Sequence, residues 1–222
     1  MEGYKLGKTS IKVPSGWHEI SYNKAMELLE GEYNAVETLA ILSNKTPEEI
    51  RKSTDIETIF YFTNTFLYLK QLPGTDYPRS IQMGVDLIKF PAPIDLGNAE
   101  VGQVEDMQAI IMNMNKEFIG DETRELTEIE LIKIMPYIAA VYIQKLLEGE
   151  YDGNRAQALV PRIKEEVSFK AITGLGYFFL SRLTDLMNGP ESEWQKAHLT
   201  RKKWKRVFRN SMKRLAYMLH LT

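Results

Sequence analysis

Thr127-Glu128-Ile129-Glu130-Leu131-Ile132-Lys133-Ile134-Met135-Pro136, continued by YIAAVYIQKLLE to Glu148, sets the pattern for the whole chain. Thr127 and Glu130 stand three apart ahead of an apolar run. That spacing lets each side chain bond the other residue's backbone N–H, the reciprocal capping box of a helix start. The helix is expected to run to Glu148 and to kink at Pro136, which has no N–H for the turn before it. Gly149 is placed to end it.

Helical spacing continues on both sides. Gly102 to about Phe118 carries Val104, Met107, Ile110, Ile111 and Met114 on one stripe. Pro161 interrupts or starts another helix. Glu165 to Met187 carries Val167, Ala171, Ile172, Leu175, Phe178, Phe179, Leu183 and Leu186, and Asn188-Gly189-Pro190 stops it. Upstream, Ser21 is placed to cap a helix bearing Ala25, Leu28 and Leu29, with Gly31 at its end. A short helix covers 34–43. Thr46-Pro47-Glu48-Glu49 opens the next, with Pro47 suited to its first position. Thr54-Asp55-Ile56-Glu57 repeats the box ahead of a longer helix to about Gln71. The apolar set of that helix is Ile56, Ile59, Phe60, Phe62, Phe66, Leu67 and Leu69.

Two segments read as β. Lys8 to Val13 alternates in two-residue steps and stops at Pro14. Ser80 to Phe90, SIQMGVDLIKF, is β-rich around Gly84 and predicts a hairpin, stopped by Pro91-Ala92-Pro93. The expected fold is mainly α. It has a helical bundle-like body over residues 1–190, a small central β-hairpin element within about 78–95, and a C-terminal amphipathic basic helix over 191–222.

Composition narrows the functional classes. The chain has 222 residues, 44% hydrophobic and 26% charged, which is globular rather than disordered. It has no Cys, so a disulfide scaffold, a thiolate metal site and a Cys nucleophile are excluded. The opening MEGYKLGKTSIKVP has no apolar core of signal-peptide length, and the longest apolar run, 171–181, is too short for a bilayer. A soluble, intracellular protein is expected.

No constellation of reactive groups stands out. His18, His198 and His220 have no His or carboxylate partner at helical spacing. Gly174-Leu175-Gly176 sits inside a helix pattern and suits close helix packing better than a dinucleotide. Gly7-Lys8-Thr9 lacks the spacing of a phosphate loop. The carboxylate pairs Glu48/Glu49, Asp121/Glu122 and Glu128/Glu130 stand near helix starts, where they oppose the macrodipole favourably. The expectation is no catalytic residue, no cofactor and no metal ligand. Leu-Leu-Glu-Gly-Glu-Tyr occurs at 28–33 and again at 146–151, and reads better as a common helix ending than as a duplication.

Charge is spread unevenly. Residues 196–222 hold nine basic residues and no acidic one. The first 195 residues hold 19 basic and 30 acidic, a balance of −11 within a net of −2. Trp204, Val207, Phe208, Ser211, Met212, Leu215, Met218 and Leu219 form one stripe of the tail. Lys202, Lys205, Arg206, Arg209 and Lys213 form another. The candidate partner-binding residues are Arg201, Lys202, Trp204, Lys205, Arg206, Phe208, Arg209 and Lys213. An acidic surface of the same chain, an acidic neighbouring subunit, nucleic-acid phosphates and an anionic membrane are all chemically eligible. The acidic body favours the first two and disfavours a nucleic-acid reader, which usually spreads its basic surface more widely.

Several phrases resemble small proteins of tailed-bacteriophage morphogenesis clusters, of the tail assembly chaperone-like kind. They are GWHEISYNKAMELLE at 16–30, Ile41-Leu42-Ser43 before Thr46-Pro47-Glu48-Glu49-Ile50, Gly102-Gln103-Val104-Glu105-Asp106, and the Leu-Leu-x-Gly-x-Tyr-Asp step at 146–152. The resemblance spans about residues 13–189 and rests on caps and core positions. It implies a non-enzymatic structural or assembly protein, in the host cytoplasm during assembly and potentially in the virion. Its partners would be other phage structural proteins or copies of itself. The alternative is a nucleic-acid-associated protein using the basic helix, which lies outside the resemblance. The membrane is not expected as a partner.

Overall fold

A computed structural model of the chain describes residues 2–6, 9–74, 76–90, 100–120 and 126–188. Pro91-Ala92-Pro93, the Asp121/Glu122 pair, His198, His220 and the basic helix of 191–222 lie outside the described residues.

Helix α6 (Glu128–Glu148) is the axis of the fold. Thr127 caps it as expected: Thr127 Oγ1 accepts from Glu130 N at 3.3 Å and Glu130 Oε2 accepts from Thr127 N at 2.7 Å. Its interior is apolar on every side, and such a helix must be covered all round. The cover comes from α5 (Val101–Ile119), α7 (Gly153–Glu166) and α8 (Phe169–Asn188). Ile132, Ile134, Met135, Ile138 and Ile143 are fully or almost fully buried beneath them. Each such side chain contributes roughly 1.5–3 kcal/mol.

Pro136 and Pro161 both lie inside helices that run on through them. Pro136 leaves the Ile132 carbonyl, four residues back, without its helical donor. The hydroxyl of Tyr22 supplies one from outside, donating to Ile132 O at 3.1 Å.

The N-terminal part packs onto this bundle. It consists of β1 (Glu2–Leu6), β2 (Thr9–Val13), α1 (Tyr22–Glu30), α2 (Ala35–Ser43), α3 (Pro47–Ser53) and α4 (Ile56–Thr65). β2 is the strand expected before Pro14. Its antiparallel partner β1, with Glu2 opposite Val13 and Leu6 opposite Thr9, had no alternating pattern to announce it. Asn34 and Thr46 head α2 and α3 with full capping boxes. The expected box at Thr54 is corrected: Asp55 is the cap, accepting from Thr58 N at 2.8 Å. The long helix to Gln71 is also shorter than expected. α4 ends at Thr65 and a tighter 3₁₀ segment, Phe66–Lys70, takes over.

Trp17 joins the halves. Its indole Nε1 donates to Tyr68 O at 3.1 Å and Gln71 O at 2.8 Å, and its ring lies 4.9 Å from that of Phe169. Phe169 N donates to Ile20 O at 2.7 Å, and Ser168 bridges to Ser21. This bridge keeps Val167 extended, so the helix expected from Glu165 begins only at Phe169. The central hairpin is present as β3 (Ser80–Met83) and β4 (Asp86–Lys89). Gly84, at φ +59, opens its two-residue turn, a conformation open to glycine and costly for other residues.

The two Leu-Leu-Glu-Gly endings differ in geometry. Gly31 is extended at φ −98, whereas Gly149 has φ +84. Of the two glycines expected to serve close helix packing, Gly176 does so, whereas Gly174 meets a loop. A Cβ on Gly176 would collide with Met135 of α6, and one on Gly174 with the Asp76 carbonyl.

Candidate functional site

The candidate residues of the basic helix, Arg201 to Lys213, lie outside the described residues, so the structure offers other surfaces. One is on α4. Of the apolar set of this segment, Ile56, Phe60 and Leu67 stand outside the core, 69%, 65% and 52% exposed. The seven apolar residues of this segment form two stripes. Phe62 and Phe66 face inward, fully and almost fully buried, and their rings stack at 5.9 Å. Ile56 and Phe60 are one turn apart, with Leu67 close to the same line. The strip is edged by exposed charges of both signs: Arg51, Lys52 and Lys70 against Asp55 and Glu57. The signal was legible as an excess: seven apolar residues are more than one helix face can bury.

The second surface is a cleft of about 370 Å³ between α5, α6 and α7. Its floor is Ile110, Val141 and Val160, and its polar wall is Asp106, Asn113, Tyr137, Tyr151, Asn154 and Gln157. The Asp106 end is built by two phrases that sequence reading treated as caps and core. Gln103 is buried, donating to Val141 O at 3.3 Å and accepting from Glu100 N at 3.1 Å, which fixes the start of α5 against α6. Asp106 Oδ2, one turn on, accepts from Tyr151 Oη at 2.6 Å. Gly153 lies so close that a Cβ there would collide with this carboxylate. Buried Gln144 sets the turn that carries Tyr151. It accepts from Asp152 N at 3.1 Å and donates to Glu150 O at 3.2 Å.

Burial, and then the bond to Asp106 and the charges of Asp106 and Asp152, push the Tyr151 hydroxyl well above its ordinary range. It therefore stays a donor at any physiological pH. At the other end, Lys164 Nζ lies 4.8 Å from the Tyr137 ring centroid. The cleft residues come from three helices and the turn before α7, up to 54 positions apart, and no local spacing links them.

His18 is exposed. Among the described residues no group of three or more His, Asp or Glu is placed to hold a metal ion. No described helix is long and apolar enough to cross a membrane. The arrangement defines a mainly helical body with an exposed apolar helix strip and a polar, anionic cleft. No family model, no curated protein and no solved structure matches the chain.

Proposed function

We propose that the protein is a non-enzymatic assembly component, of the kind encoded in tailed-phage morphogenesis clusters, that works through protein–protein contacts. The observation that carries this reading is the α4 strip. Ile56 and Phe60 of α4, and Leu67 of the 3₁₀ segment that follows it, stand half exposed or more, while Phe62 of α4 is in the core. Exposed apolar side chains rimmed by charge are how contact sites look before they are covered. The phage assignment rests on the phrases at 16–30, 41–50, 102–106 and 146–152.

The occupant that fits the strip is a second copy of the chain. Its rim carries both signs, so an antiparallel two-fold arrangement centred on the strip brings Lys70 of one copy to the end that bears Asp55 of the other. The test is native mass against concentration for the full chain and for a triple variant, Ile56→Ser, Phe60→Ser, Leu67→Ser. These positions are exposed, so the variant should keep its helical circular dichroism and lose the higher-mass species. A wild-type chain monomeric at all concentrations, or a variant that still associates, sinks the self-docking reading.

The second reading is a nucleic-acid partner, favoured by the nine basic residues of 196–222. It requires an affinity that falls steeply with salt. Absence of DNA or RNA binding at low salt removes it.

A further inference from the structure

We infer that the Asp106 end of the cleft between α5, α6 and α7 binds the guanidinium or ammonium group of a basic side chain, and that residues 196–214 of this protein supply it. The polar wall contains one formally charged group, the Asp106 carboxylate, and no cation. Tyr151 bonds one oxygen of that carboxylate and holds it at the cleft wall. Asn113, Asn154 and Gln157 add amide oxygens, and the Tyr151 ring adds an electron-rich face.

Charges around this end point the same way. Asp106, Asp152 and Glu148 stand near Arg155 and Lys145, and both cations are already committed: Arg155 Nη1 is 2.5 Å from Glu148 and its Nε 3.7 Å from Asp152, and Lys145 Nζ is 3.0 Å from Glu100. Farther along α7, Lys164 sits over Tyr137, about 16 Å from the start of the helix at 1.5 Å per residue. The floor of Ile110, Val141 and Val160 suits the aliphatic stem of Arg or Lys, whose head then meets the carboxylate. The volume lies in the small-ligand range, ample for one such side chain and a neighbour.

The chain itself carries the matching chemistry. The segment 196–214 has nine basic residues and no acidic one, with Trp204 and Phe208 between them. The inference gives the protein-contact reading a second site and a named partner segment, and does not depend on the α4 strip.

The test is a calorimetric titration with a synthetic peptide of residues 196–214. The receiving protein is the full chain with all nine basic residues of 196–214 changed to Gln, so that its own segment does not compete. Saturable one-to-one binding is expected, reduced at least tenfold by Asp106→Asn. It should be abolished by Ala109→Trp, which fills the cleft from an exposed position on α5. Both variants are checked by circular dichroism. Should Asp106→Asn fail to fold, Ala109→Trp decides alone. The inference is overturned by no binding at low salt, by equal binding in the cleft variants, or by equal binding of a scrambled peptide of the same composition. Loss of peptide binding with intact α4-dependent association would sink the cleft and leave the strip standing.

Discussion

Gly176 is the residue at which α6 and α8 touch. A Cβ there would overlap the Cβ and Cγ of Met135, atoms that cannot swing away as a side-chain end can. Two effects oppose each other in Gly176→Ala. Alanine gains about 1 kcal/mol of helix propensity over glycine. Overpacking a filled core costs about 1–3 kcal/mol. Met135 is fully buried and α8 is held at Phe169 and again at Gly174, so the helices have little room to part. The collision should win, and the melting temperature should drop by about 2–4 °C for each kcal/mol lost in a body of this size. A rise in melting temperature would mean that the helices can part enough to admit a methyl group. The spacing Gly-x-Gly inside an apolar helix was enough to expect close packing. Which residue it packs against was not legible, because Met135 lies 41 positions away.

At the scale of elements, what the sequence discloses follows the range of the forces involved. The starts of α3 and α6 are settled by side chains three residues from the backbone they cap, and both were readable. The start of α8 is settled by a bridge from Ser168 to Ser21 and by Phe169 N on Ile20 O, and it was not. The cleft is of the same kind, since Asp106 and Tyr151 meet only when α5 packs on the α6–α7 turn. Pro136 falls between the cases. The loss of a helical donor at Pro136 follows from the residue type, but the remedy does not: the freed Ile132 carbonyl is bonded by Tyr22 of α1, 110 positions away. That pairing is testable as a cycle. Tyr22→Phe alone strands a buried carbonyl and should cost about 1–3 kcal/mol. In a Pro136→Ala background the backbone N–H restored by the substitution can reach Ile132 O, so the same Tyr22→Phe change should cost clearly less. Equal costs measured by denaturant unfolding in the two backgrounds would show that the hydroxyl does not act for the missing helical donor.

For the whole molecule, the question is whether the N-terminal layer and the α5–α8 bundle unfold together. The contacts say that they do. Trp17 receives Phe169 against its ring and donates to Tyr68 and Gln71, so one side chain spans the N-terminal segment, the 3₁₀ segment after α4 and the start of α8. Tyr22, five residues on, reaches α6, and Asn23 reaches Glu165 at the end of α7. Breaking the N-terminal layer away would uncover Phe169 and strand the Ile132 carbonyl in one step, so an intermediate with only the bundle folded pays for both. Trp17 can report this directly. The chain has three Trp, and Trp194→Phe with Trp204→Phe leaves Trp17 as the sole indole. Its fluorescence and the far-ultraviolet circular dichroism should then change at one common midpoint, as a cooperative transition requires. Trp17→Ala should shift the dichroism midpoint downward, with a loss of about 3–5 kcal/mol for a buried aromatic in a joint of this kind. If the Trp17 signal moved several degrees before the helical signal, the layer would be an independent unit. The joint at Trp17 would then be a docking contact between two folded parts instead of the centre of one.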